Sequence, residues 1–123
     1  MARMTTEQME EFLRGDDHRR TMVLSVGREG RGPLCVPLAF SYSEGVFRFQ
    51  TKQSRRHAQA FLKTGRATIT VHHEDYAGRV YERYVVAEGS IRLATPPPDD
   101  GSDPFLTAVL EPGSLVAVVY GAR

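Results

Sequence analysis

Between residues 51 and 57 the chain reads Thr51-Lys52-Gln53-Ser54-Arg55-Arg56-His57, a basic, hydroxyl-bearing cluster that joins a strand-like segment to a helix-like one. A helix start presents unpaired N–H groups and a partial positive charge, so an anionic group placed there finds donors and favourable potential together. Arg55 and Arg56 add planar forks that bind phosphate oxygens in pairs, while Thr51 and Ser54 can each contribute a hydroxyl. The same residues also fit an ordinary solvated helix start with Ser54 as its N-cap, and local composition does not choose between the two.

A second stretch of interest is Val36-Pro37-Leu38-Ala39-Phe40, an apolar strand interrupted by a proline that cannot donate a backbone hydrogen bond. Pro37 predicts a break in the strand ladder, leaving backbone groups free to meet the edge of a flat heteroaromatic ring. A core strand with a bulge fits the same residues. Cys35 has no flanking base, so it is expected to be a small buried hydrophobe rather than a nucleophile.

Other groupings carry less. His72 and His73 are adjacent in a strand-like segment and should point to opposite faces, so no metal site is expected there. The run Asp16-Asp17-His18-Arg19-Arg20 reads as a solvated connection. The chain has neither a glycine-rich phosphate loop nor a serine in a glycine-flanked elbow. Tyr81 and Tyr84 with Arg79 and Arg83 mix aromatic and basic side chains. However, 16 Lys and Arg against 15 Asp and Glu leave a formal charge of +1, too little for a nucleic-acid face or an anionic membrane. The single cysteine allows no intrachain disulfide, and Met1 to Glu7 carries no signal-peptide pattern. The apolar runs fall far short of the roughly 20 residues that span a bilayer. A cytoplasmic protein with one domain over residues 1–123 is the expectation.

The elements that must position these residues follow from periodicity. Thr5 stands three before Gln8 in a reciprocal cap, and Met9, Phe12 and Leu13 continue at helical intervals until Gly15. Residues 20–27 form an apolar, β-branched strand with a turn to Gly32, and 34–42 a second strand. Phe47 and Phe49 alternate with Arg48 and Gln50 in a third, after a short turn at Glu44-Gly45. From Ser54 the period changes: Ala58, Phe61 and Leu62 mark a short amphipathic helix that closes near Gly65. Arg66 to His72 alternates again, 74–78 is a polar loop, and 80–94 is a long strand bent at Gly89. Residues 95–101 form an exposed loop, 104–111 a short helix with Asp103 at its N-cap, and 115–120 a last strand. The sum, about six strands and three short helices, predicts a mainly β (α+β) fold, an antiparallel barrel with short peripheral helices.

The order of these features resembles the pyridoxamine 5'-phosphate oxidase-like, FMN-binding split β-barrel family, including its flavin/deazaflavin oxidoreductase branch. The residues that carry the resemblance are Met22 to Val26, Gly30 to Phe40, Phe47 to Thr51 with Ser54-Arg55-Arg56, Arg66 to Val71, and Tyr84 to Ser90. It implies a six-stranded split barrel that dimerises with the cofactor between subunits. It also implies that Thr51, Ser54, Arg55 and Arg56 contact the FMN phosphate, and that Val36, Pro37 and Leu38 lie along the ring. The family's lysine is Arg56 if Ser54 is aligned and His57 if Phe61 is aligned. The chain stops at Arg123 without the C-terminal extension of true pyridoxamine-phosphate oxidases, so that particular activity is not expected. The resemblance implies a flavin-dependent oxidoreductase acting on an unidentified small molecule. The alternatives are a deazaflavin-dependent reductase, with Lys52, Lys63 or Arg79 along a longer channel, and a non-catalytic protein that holds flavin or haem.

Overall fold

The computed structural model describes residues 1–15, 20–75 and 81–121. Its elements are β1 (Ala2–Arg3), α1 (Thr6–Arg14), β2 (Thr21–Arg28), β3 (Arg31–Ala39), β4 (Ser41–Ser43), β5 (Val46–Lys52), α2 (Arg56–Thr64), β6 (Arg66–Asp75), β7 (Tyr81–Leu93) and β8 (Phe105–Tyr120). Antiparallel pairing links them in the order β3-β2-β6-β7-β8-β5-β4, with β1 added to β8. The fold is a mainly β split barrel with short helices at its periphery, as the sequence predicts.

Alternation sets the core. Met22, Leu24 and Val26 of β2, Ile69 and Val71 of β6, Val85 and Ala87 of β7, and Leu106, Ala108 and Leu110 of β8 point inward and are buried. Each helix closes one end of this interior. α1 begins with the reciprocal cap expected from Thr5 and Gln8, and it buries Phe12 completely. α2 buries Phe61, whose ring meets Phe49 of β5 edge to face with centroids 5.9 Å apart. That pair packs α2 against β5. Gly65 ends the helix in the left-handed region, at φ 70°, and its N–H closes on the Phe61 carbonyl.

Several sequence expectations are corrected. Residues 104–111 are not a helix but the first half of a 16-residue strand that runs to Tyr120. Phe105, Val109 and Leu110 fit a helical period, yet Leu106, Ala108 and Leu110 fit an alternating one equally well. Ladders to β5 and β7 on both sides decide for the strand. Eight strands and two helices are found among the described residues, because a two-residue β1 gives no sequence signal and the chain bends after Ala39 to start β4. β6 continues through Glu74 and Asp75, where a polar loop was expected.

Pro37 does not break its ladder: it pairs in register with Val23, and the only irregularity in the β2–β3 ladder lies between Val26 and Arg28. The reason is position, since β3 ends the sheet and a proline is tolerated where its missing N–H can face an open edge. Cys35 is exposed rather than buried, because the alternation of β3 turns it outward. The charge run at residues 16–19 and the segment 76–80, including Arg79, lie outside the described residues. No helix among the described residues is long and apolar enough to cross a membrane.

Candidate functional site

The barrel is split where the two ends of the strand order approach each other. β4 pairs only with Val46 to Arg48, so Phe49 to Lys52 of β5 are laddered on the β8 side alone among the described pairings. A cleft of about 500 Å³ opens between this free edge of β5 and the free edge of β3. That volume lies within the range of about 300–1,000 Å³ usual for small-molecule sites. Leu34, Cys35, Val36 and Leu38 line one side, Gln50, Thr51 and Lys52 the other, and Arg55, Arg56 and His57 close one end, with Phe105 at the rim. The cleft is thus apolar along β3 and cationic at the start of α2.

Of the residues expected from sequence, Val36, Leu38, Thr51, Arg55, Arg56 and His57 converge on this cleft. Pro37 and Ser54 do not line it. Pro37 is exposed, on the opposite face of β3 from half-buried Val36 and Leu38. Ser54 is not the N-cap of α2: Arg55 occupies that position, and no side chain caps the helix. Instead the Ser54 amide and hydroxyl both donate to the Asp103 carboxylate, at 2.9 Å and 2.7 Å. Asp103, expected to cap a helix that does not form, binds the residue just ahead of α2. Its carboxyl is held below its usual range by the Ser54 hydroxyl and amide, with Lys52 and Arg55 adding attraction.

His57 and Thr51 are buried and lie within a hydrogen bond of each other, with Oγ1 and Nε2 2.6 Å apart. Burial, and after it the Arg55 guanidinium, holds the imidazole below its ordinary pKa, so it is neutral at pH 7. A neutral ring at a helix start leaves the guanidinium groups of Arg55 and Arg56, both exposed, as the charged forks there. Together with the Lys52 ammonium they can hold a phosphate. The apolar side chains of β3 offer a flat surface from which a ring would exclude water. A phosphorylated heteroaromatic cofactor fits this donor set.

Sequence reasoning missed Leu34, Cys35, Gln50 and Phe105 as cleft residues, and it named Lys52 only for the deazaflavin alternative. Leu34 and Gln50 carry a usable signal, since Leu34 shares the face of Val36 and Leu38 and Gln50 adjoins Thr51. Phe105 carries none, because only the pairing of Lys52 with Phe105 brings it there.

Away from the cleft, His72 and His73 do face opposite ways, one exposed and the other half-buried. His72 nevertheless gains neighbours across the ladder: Glu74 pairs in register with Glu82, and the three side chains bring ligand-type atoms within 4.8 Å of one another. His72 Nε2 lies 3.3 Å from Glu74 and 3.6 Å from Glu82, the first two residues exposed and Glu82 half-buried.

No protein-family model matches the sequence, and no curated protein does. Solved structures do resemble it. An FAD-binding protein from Mycobacterium smegmatis superposes with a TM-score of 0.77 at 10% identity, over 98% of this chain and 100% of the other. An FAD-binding protein from Mesorhizobium loti gives 0.74 at 14% identity, over 94% and 93%. A candidate pyridoxamine 5'-phosphate oxidase from Corynebacterium glutamicum gives 0.67 at 9% identity, over 94% and 90%. At such identities the likeness is one of fold, and that fold is the split barrel of the flavin-binding, pyridoxamine 5'-phosphate oxidase-like proteins.

Proposed function

We propose that this protein binds a flavin, FMN in the first instance, in the cleft between β3 and β5 and serves as a flavin-dependent oxidoreductase for a small molecule. The observation that carries this reading is the joining of two surfaces in one cleft, an apolar wall at Leu34, Val36 and Leu38 and a cationic end at Lys52, Arg55 and Arg56. Solved structures of the same fold that are named as FAD-binding proteins support a flavin over other phosphorylated rings, and they make FAD the first competitor to FMN.

When bound, the flavin supplies hydride or electron transfer, and the protein supplies orientation and electrostatics. Arg55 and Arg56 grip the phosphate and Lys52 adds charge beside it, which sets affinity. The Thr51 hydroxyl, held by His57, contributes a polar contact whose direction the imidazole fixes. Val36 and Leu38 cover a ring face and exclude water. The same reading includes a homodimer with the cofactor between subunits, supported by the open rim of the cleft, where Phe105 is 66% exposed.

The test is a visible spectrum of the purified protein, followed by titration with FMN, FAD, riboflavin and a deazaflavin. Uptake of FMN at micromolar concentration or below is the expected result, and failure to take up any flavin overturns the reading. In the Arg55→Ala/Arg56→Ala variant, FMN affinity should fall tenfold or more while riboflavin binding changes little. Charge-assisted phosphate contacts contribute roughly 1.5–3 kcal/mol each. Equal losses for both ligands would place the phosphate elsewhere.

A further inference from the structure

Three consecutive residues leading into β8, 103 to 105, are fastened to three consecutive residues leading out of β5, 52 to 54. Lys52 pairs with Phe105, the Gln53 N–H donates to the Pro104 carbonyl at 3.0 Å, and Ser54 donates twice to Asp103. The Lys52 ammonium also lies 5.5 Å from the centroid of the Phe105 ring. Lys52 and Phe105 line the cleft, and Ser54 directly precedes Arg55, which does too. An N–H and an O–H from one residue thus converge on the protein's own carboxylate beside Arg55, just outside the side chains that line the cleft.

A carboxylate oxygen and a phosphoryl oxygen make the same demand on such donors, a short charge-assisted hydrogen bond. Two anions cannot share them, and like charges placed side by side repel each other. The Asp103 contact is exposed to water, where such pairs are weak, so releasing it costs little. Fastening at Gln53 and Lys52 holds the segment in place, so the Asp103 side chain can turn away without unpairing the strand start.

We infer that Asp103 is an internal stand-in for the ligand's phosphoryl group, holding the Ser54 donors in the free protein and yielding them when a phosphorylated ligand enters the cleft. This rests on the phosphate-binding reading above and deepens it. Asp103 then sets the discrimination between phosphorylated and unphosphorylated forms of one ligand. Its carboxylate opposes the phosphorylated form by competing for donors and by repulsion, and leaves the ring-only form untouched.

The experiment compares wild type with Asp103→Ala and Asp103→Asn, titrating each with FMN, riboflavin and inorganic phosphate while following the Ser54 amide and the Asp103 carboxyl by NMR. FMN should bind roughly two- to fivefold tighter to both variants, the factor that corresponds to losing an exposed competitor of this strength. Riboflavin affinity should stay within twofold. In wild type, saturation with FMN should shift the Asp103 carboxyl resonance toward that of a solvated aspartate. Unchanged or weaker FMN binding in both variants overturns the inference, as does a carboxyl resonance that ignores FMN. If wild type binds no flavin at all, the flavin reading fails separately. Phosphate alone then decides the exchange: a Ser54 amide that phosphate shifts more readily in Asp103→Ala sustains it, and one that phosphate does not shift in any form defeats it.

Discussion

His57 is buried against Thr51 at the first turn of α2, with the Arg55 guanidinium nearby, and both burial and that charge disfavour its protonated form. The unfolded chain takes up this proton near pH 6.5, whereas the folded protein does so only at lower pH. Stability from this residue is therefore complete above about pH 6.5 and is lost as the pH falls through the folded pKa, at no more than about 1.4 kcal/mol per pH unit for one proton. Urea denaturation between pH 7.5 and 5 should show a shallower decline for His57→Gln than for wild type. Identical slopes would mean that the ring titrates freely. At this scale the sequence was partly legible. The basic, hydroxyl-bearing run at residues 51–57 points locally to Thr51, Arg55 and Arg56, whereas Val36 and Leu38 along a ring and His57 in the lysine's place came from the family resemblance. Of the two readings left open for Ser54, the helix cap does not hold, since Arg55 takes that position, and nothing local reveals a carboxylate 49 residues away.

The elements around the cleft depend on a close approach of β7 to β8. The ladder pairs Glu88 with Ser114 and then Gly89 with Pro112, so Gly113 is an extra residue in β8 and the strand kinks there. A Cβ on Gly89 would lie 2.7 Å from the Glu111 carbonyl carbon and 3.0 Å from the Pro112 Cα, both of them backbone. Gly89→Ala should accordingly destabilise the fold by about 3 kcal/mol or more, measured by chemical denaturation. A loss below about 1 kcal/mol would show that the two strands separate easily. The sequence indicates a bend at Gly89. It does not indicate the partner of that bend, because Pro112 and Gly113 read as a turn that ends one element and starts another. Pairing on both edges carries β8 through them, and that same continuity turns the expected helix at 104–111 into strand.

For the molecule as a whole, the cleft exists because the barrel does not close: the free edges of β3 and β5 face each other and α2 begins at one end of the opening. A ligand there binds the folded protein alone, so it should raise the unfolding free energy by about 2.7 kcal/mol at a concentration 100 times its Kd. For a chain of this size that corresponds to a rise in Tm on the order of 10 °C, measured by scanning calorimetry with FMN. A Tm that no flavin raises would argue against a cleft ligand of this class. The sequence by itself determined that strands dominate, where α1 starts and stops, that a short second helix ends at Gly65, and which residues bear charge or hydroxyls near the start of α2. These are matters of period and composition, written within a few residues of one another. Only the tertiary structure decided that β8 is one strand, that Phe105 borders the cleft, and that Asp103 occupies the Ser54 donors. Each of these is a pairing between segments that are not neighbours in the sequence, fixed by which edges are left to be satisfied once the core is buried.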